Sequence, residues 1–163
     1  MPEPRYDISI EVEDGFEGRA NVVALEALIA QALADEEIED GTGLALVIAG
    51  DELLHSLNRE HRGVDAPTDV LSFGAEEGEE IPLGEDQPRY VGDIVISVET
   101  AARQASEAGI ALDAELAHIV LHGVLHLLGW DHETPEDDAE MKAREERVLG
   151  PEIHARGASH DHD

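Results

Sequence analysis

Hydrophobic and polar positions alternate from Tyr6 to Val12 (YDISIEV), the pattern of a half-buried strand. From residue 20 to 35 the period changes. Val22, Leu25, Leu28, Ile29, Ala32 and Leu33 recur at helical spacing and predict an amphipathic helix. GLALVIAG, residues 43–50, is a short apolar run between glycines and predicts a buried strand. Asp51 is placed to cap a helix running to about Glu60. HRGVDAPTD then has the composition of a loop, and Val70 to Phe73 predicts a further strand. Residues 75–90, AEEGEEIPLGEDQPRY, predict a mobile acidic surface loop. VGDIVISV predicts a strand over 91–98, followed by helices over 99–109, 113–128 and 134–149. The expected fold is α/β (α+β): one compact domain over 1–150 with a small mixed four-stranded sheet, about five helices and a flexible tail over 151–163.

Composition changes this picture in two ways. The 163 residues include no cysteine, so disulfides and thiolate metal sites are excluded. Asp and Glu number 39 against 10 Lys and Arg, a formal net charge of −29. A body this acidic repels nucleic acid at long range, and the repulsion weakens as salt rises. The charge suits a well-solvated surface, or one adapted to high salt. MPEPRYDISIEVED shows neither a basic nor an apolar leader region, and no apolar run approaches the roughly 20 residues of a membrane span. A cytoplasmic location is the simplest expectation.

The chemistry gathers in ELAHIVLHGVLHLLGWDH, residues 115–132. Leu116, Ile119, Val120, Leu121, Val124, Leu125, Leu127 and Leu128 surround almost the whole helix, which predicts a central buried element. Its polar ridge is His118, His122 and His126, each four residues apart. Four residues turn about 400° and climb about 6 Å, so neighbouring imidazoles on this ridge can meet one ion. Gly129 is suited to end the helix, and Trp130-Asp131-His132 turns a third imidazole back toward the first two. Buried histidines need polar partners, and one zinc ion satisfies three of them together. His122, His126 and His132 are therefore the expected ligands of one Zn2+ per chain. Three protein ligands leave a position open, the arrangement of a catalytic site. His118 has the right phase to support a ligand, line the pocket or simply pack.

The frame His-x-x-x-His-x-x-Gly-x-x-His has the spacing of the metzincin peptidases. Those enzymes carry a glutamate directly after the first histidine as general base, and position 123 here is Gly. That substitution argues against peptide hydrolysis.

HGVLHLLGWDH, with LNREHRGVDAPTDVLSF and VGDIVIS upstream in that order, resembles the YbeY-type endoribonuclease family over roughly residues 6–149. Trp130 and His61 stand where tyrosine is common in that family. The resemblance implies a metal-dependent hydrolase acting on single-stranded RNA in 16S rRNA 3′-end maturation and ribosome quality control. Its implied partners are rRNA and the small ribosomal subunit or associated proteins, with no membrane. It also implies a catalytically important arginine, which falls on Arg62. A guanidinium there suits two-pronged contact with phosphate; the bland alternative is an ion pair with Asp65 or Asp69. Arg59 and Arg89 are possible further phosphate contacts. Asn58, Thr68, Asp69 and Ser72 suit local side-chain-to-backbone bonds that shape the loop. Asp93 is a possible partner for a ligand histidine or for substrate. Other readings are a ribosome-assembly factor with a structural zinc, and a metal-dependent hydrolase of another substrate.

Overall fold

A computed structural model describes residues 6–74, 90–128 and 135–149. Residues 1–5, 75–89, 129–134 and 150–163 lie outside these residues, as do the predictions made on them, His132 and Arg89 included. Along the chain run β1 (Asp7–Val12), α1 (Val22–Asp35), β2 (Gly43–Ala49), α2 (Asp51–Arg62), β3 (Val70–Gly74), β4 (Tyr90–Ser97), α3 (Val98–Ala108), α4 (Leu112–Leu127) and α5 (Pro135–Leu149). This is the predicted order. The mixed four-stranded sheet is ordered β1-β2-β4-β3, with β3 antiparallel to β4 and the other pairings parallel.

The side-chain alternation of the strands feeds two cores. Leu44, Leu46, Ile48, Ile94, Ile96 and Val70 point to one side and pack with α1 and α4 in the larger core. Ala49, Leu71 and Val95, with Val47 and Phe73, point to the other side and meet Leu53, Leu54 and Leu57 of α2. Helix α4 is central, touching β3, β4, α1, α3 and α5. Leu116, Ile119, Val120, Leu121, Val124 and Leu125 are buried, as the hydrophobic pattern requires. Among the described residues, no single helix is long and apolar enough to cross a membrane.

Three local features differ from expectation. Gly50, not Asp51, occupies the cap position of α2. The Asp51 carboxylate accepts instead from Ser97 Oγ at 2.7 Å, Thr100 Oγ1 at 2.5 Å and Arg103 Nη2 at 2.8 Å, joining the start of α2 to the start of α3. Second, α2 continues through His61 and Arg62, because the chain leaves helical geometry only at Gly63, whose φ of 71° is left-handed. Third, β4 carries a bulge. Gly43 pairs with Tyr90, but Ala45 pairs with Asp93. Gly92 has a φ of 144°, and a Cβ there would collide with the Phe73 carbonyl oxygen. The extra residue reverses the alternation, so Val91 and Ile94 share the α4 side while Val95 turns toward α2.

Candidate metal and phosphodiester site

The histidine ridge lies on α4 as its spacing predicts. His118 and His122 are buried, and His126 is half-buried in the last turn. Facing them is Glu145 of α5, only 2% exposed. Its Oε2 accepts from His122 Nδ1 at 3.0 Å, and its Oε1 lies 3.4 Å from His118 Nε2. Burial alone would push the Glu145 carboxyl up, but hydrogen bonds and charge from His118 and His122 outweigh it and hold the group below the ordinary carboxylate range.

Glu145 was not singled out by sequence reading. Its signal was an acid four residues after Met141, on the buried stripe of α5 where both lie. Only the fold supplies its partners, which come 23 and 27 residues earlier in the chain.

Among the described residues, no group of three or more acidic or imidazole side chains is arranged to hold a metal. The donors on α4 nonetheless fit zinc. An imidazole that donates from Nδ1 to a carboxylate keeps its lone pair on Nε2, the form in which histidine ligates. His122 presents Nδ1 to the Glu145 carboxylate, which favours that form in the neutral ring, and His126 follows one turn later. His132 is the expected third donor.

The arginine approaches the same helix from across the sheet. Arg62 ends α2, and its exposed guanidinium donates from Nη2 to the Ser72 carbonyl at 2.9 Å. It also lies over the Phe73 ring at 5.2 Å, and the His61 ring meets that ring edge-on at 5.1 Å. The strand β3 is an edge strand, so its outer carbonyls are not committed to a ladder. The Ser72 side chain points the other way, to α4. Its Oγ stands 3.2 Å from the place a Cβ would take on Gly123. One residue of β3 therefore touches Arg62 through its backbone and the neighbour of His122 through its side chain.

The supporting residues divide as follows. Asn58, buried on α2, donates from Nδ2 to the Ala66 carbonyl at 2.8 Å and so braces the 63–69 loop. Thr68 Oγ1 lies 3.4 Å from Asp69 Oδ1. Asp65 pairs with His55 at 2.7 Å. That bond, then the His55 charge, lowers its carboxyl, with a smaller contribution from Arg59 on the same helix. Asp93 accepts from the Tyr90 hydroxyl and sits opposite Phe73, on the α2 side of the sheet. Glu145 of α5 supplies a carboxylate that reaches His122. Burial, then the Asp93 bond and charge, push the Tyr90 hydroxyl up.

A family model described as "Endoribonuclease YbeY" matches residues 10–151. The endoribonuclease YbeY of Roseiflexus castenholzii is 42% identical over 151 residues, covering 92% of this chain and 95% of its own. That of Chloroflexus aurantiacus is 44% identical over 147 residues, covering 88% and 94%. The solution structure of TM1509 from Thermotoga maritima superposes with a TM-score of 0.56 at 27% identity, covering 94% of this chain and 97% of that one. With the fold, the histidine helix and the edge strand that anchors Arg62 in place, the chain belongs to the YbeY endoribonuclease family.

Proposed function

We propose that this protein is a zinc-dependent, single-strand-specific endoribonuclease that acts in 16S rRNA 3′-end maturation and ribosome quality control in the cytoplasm. One Zn2+ per chain would be held by His122, His126 and His132. The observation that carries the reading is the double use of Ser72. Its carbonyl holds Arg62 at 2.9 Å, and its side chain packs beside Gly123, next to His122. A cation that recognises phosphate is thereby fixed to the strand that abuts the ligand helix.

When bound, zinc supplies Lewis acidity and brings the pKa of water toward about 7. The remaining work belongs to the chain. The Arg62 guanidinium is a planar fork of N–H donors suited to phosphate, and its bond to the Ser72 carbonyl helps to set the plane of the group. Phe73 beneath it limits its swing. His122 is held in register by Glu145.

The net charge of −29 bears on partners. Arg59, His61 and Arg62 together form the basic last turn of α2 on this acidic body. That local patch contacts substrate at short range, while long-range steering of free RNA is unfavourable. Delivery by the small ribosomal subunit or a protein on it resolves the conflict. Affinity for naked single-stranded RNA should then be poor, and a nanomolar dissociation constant at physiological salt would refute that part.

The deciding experiment compares His126→Ala and Arg62→Ala with the unmodified chain, measuring circular dichroism, zinc content and rRNA cleavage. His126→Ala should lose zinc and cleavage together. Arg62→Ala should keep fold and zinc while cleavage falls on the order of 10²–10³-fold, the scale of losing a charge-stabilising donor. Unchanged cleavage in Arg62→Ala would support an assembly factor with structural zinc instead.

A further inference from the structure

Two histidines one turn apart on α4 meet a single carboxylate, and they meet it through different ring nitrogens. His122 presents Nδ1 to Glu145 Oε2 at 3.0 Å, and His118 presents Nε2 to Glu145 Oε1 at 3.4 Å. All three groups are at least nine-tenths buried, with exposures of 2% for Glu145, 5% for His118 and 8% for His122. An ionised carboxylate only accepts, so each nitrogen facing it must carry hydrogen. In the neutral imidazoles the single N–H proton therefore lies on Nδ1 of His122 and on Nε2 of His118.

We infer that Glu145 is a positioning residue that assigns opposite tautomers, and so opposite roles, to His122 and His118. The inference rests on the reading of His122 as a zinc ligand. With Nδ1 holding the proton, His122 offers the Nε2 lone pair to the ion. His118 cannot do the same. Nε2 is the ring atom furthest from the helix backbone and the one a helical histidine normally extends to a metal, and in His118 it is turned to Glu145. His118 is thus an anchor on the far side of the carboxylate and not a ligand. Its purpose is mechanical as well as electrostatic. A glutamate bonded at one oxygen still rotates about its terminal torsion. Bonded at both, it is fixed, and the His122 ring is fixed with it. The carboxylate comes from α5, so docking of α5 and the orientation of a ligand on α4 become one event. The low-dielectric surroundings strengthen both bonds.

Three measurements on the full chain test this. Long-range 15N–1H correlation spectra of the metal-free protein, with neutral imidazoles, should show the Nε2–H tautomer for His118 and the Nδ1–H tautomer for His122. The reverse assignment at either residue overturns the inference. Competition with a chromophoric chelator should show zinc bound roughly 10- to 100-fold more weakly by Glu145→Gln, the usual scale for losing a ligand's carboxylate partner. Equal affinity overturns it. His118→Asn, loaded with Co2+, should keep the visible spectrum and the single-ion stoichiometry of the unmodified chain. A changed spectrum makes His118 a ligand and overturns the inference. If the unmodified chain takes up no zinc at all, the metal reading fails by itself, and the tautomers still decide the role of Glu145. They are measured on the unmodified chain, so they also decide if Glu145→Gln does not fold.

Discussion

Gly123 offers the sharpest test of how the histidine helix is seated. Replacing it by alanine has two opposing effects. In the interior of a helix, alanine is favoured over glycine by about 1 kcal/mol. Against this, the new Cβ would stand 3.2 Å from Ile94 Cγ2, 3.2 Å from Ser72 Oγ and 3.3 Å from Ile94 Cδ1. Ordinary contact begins near 3.4 Å, so each neighbour must retreat by a few tenths of an ångström. Ile94 is fully buried in the sheet between α4 and the rest of the core, and has nowhere to go. Overpacking a tight core typically costs about 1–3 kcal/mol. Repulsion should therefore exceed the propensity gain, leaving a net loss of about 1 kcal/mol and a melting temperature lower by about 2–4 °C for a chain of this size. Function should suffer more than stability. The same few tenths of an ångström separate α4 from β3, and hence His122 from the strand that holds Arg62, so cleavage should fall on the order of tenfold. Urea denaturation and rRNA cleavage on the same preparation check both parts. A Gly123→Ala chain as stable as the unmodified one, or more so, would show that α4 is not pressed against β4 at this position, and the argument would fall.

Two further outcomes follow from charge. The Asp51 carboxyl is lowered although burial opposes it, because Thr100, Ser97 and Arg103 bond to the ionised form. Its contribution to stability is therefore present above the ordinary value of 3.8 and lost as the pH falls through the lowered one. Asp51→Asn should melt at a lower temperature than the unmodified chain at neutral pH, with the gap closing on acidification through the carboxylate range; a gap independent of pH would refute the assignment. Separately, with a net charge of −29, raising KCl from low to molar concentration should raise the melting temperature, since the screening length contracts from about 30 Å at 0.01 M to about 3 Å at 1 M. Equal melting temperatures would remove self-repulsion from the account.

Much of the fold was legible because each element carries one clear period. The order of strands and helices, and the burial of most of α4, follow from apolar spacing alone. The errors have physical causes. The end of α2 was placed two residues early because His61 and Arg62 precede a glycine in a loop-like stretch, while the helix stops only where Gly63 turns left-handed. Strict alternation from Val91 would put residues 91, 93 and 95 on one face. The bulge at Gly92 breaks that count and carries Asp93 and Val95 to the α2 side. Nothing in a period-two pattern announces an inserted residue except the glycine itself. Glu145 was missed for a different reason. An acid on an apolar stripe is visible in sequence, but its meaning depends on which helix the stripe covers.

The absent glutamate at position 123 first separated this chain from the peptidases that share its histidine spacing, and the packing of α4 gives that absence a cause. In a peptidase of that type the residue after the first histidine must reach the reacting centre as a base. Here the same position faces Ile94 and Ser72, against the sheet. A longer side chain would meet the core before it met any substrate, and a carboxylate there would be buried against an isoleucine. The helix has thus given its sheet-facing side to close contact with β3, and what that contact brings near the histidines is the strand holding Arg62. Under the proposed function the site would use a guanidinium where those peptidases use an acidic base, and so would receive negative charge. That suits a phosphodiester better than a peptide, in keeping with membership of the endoribonuclease family.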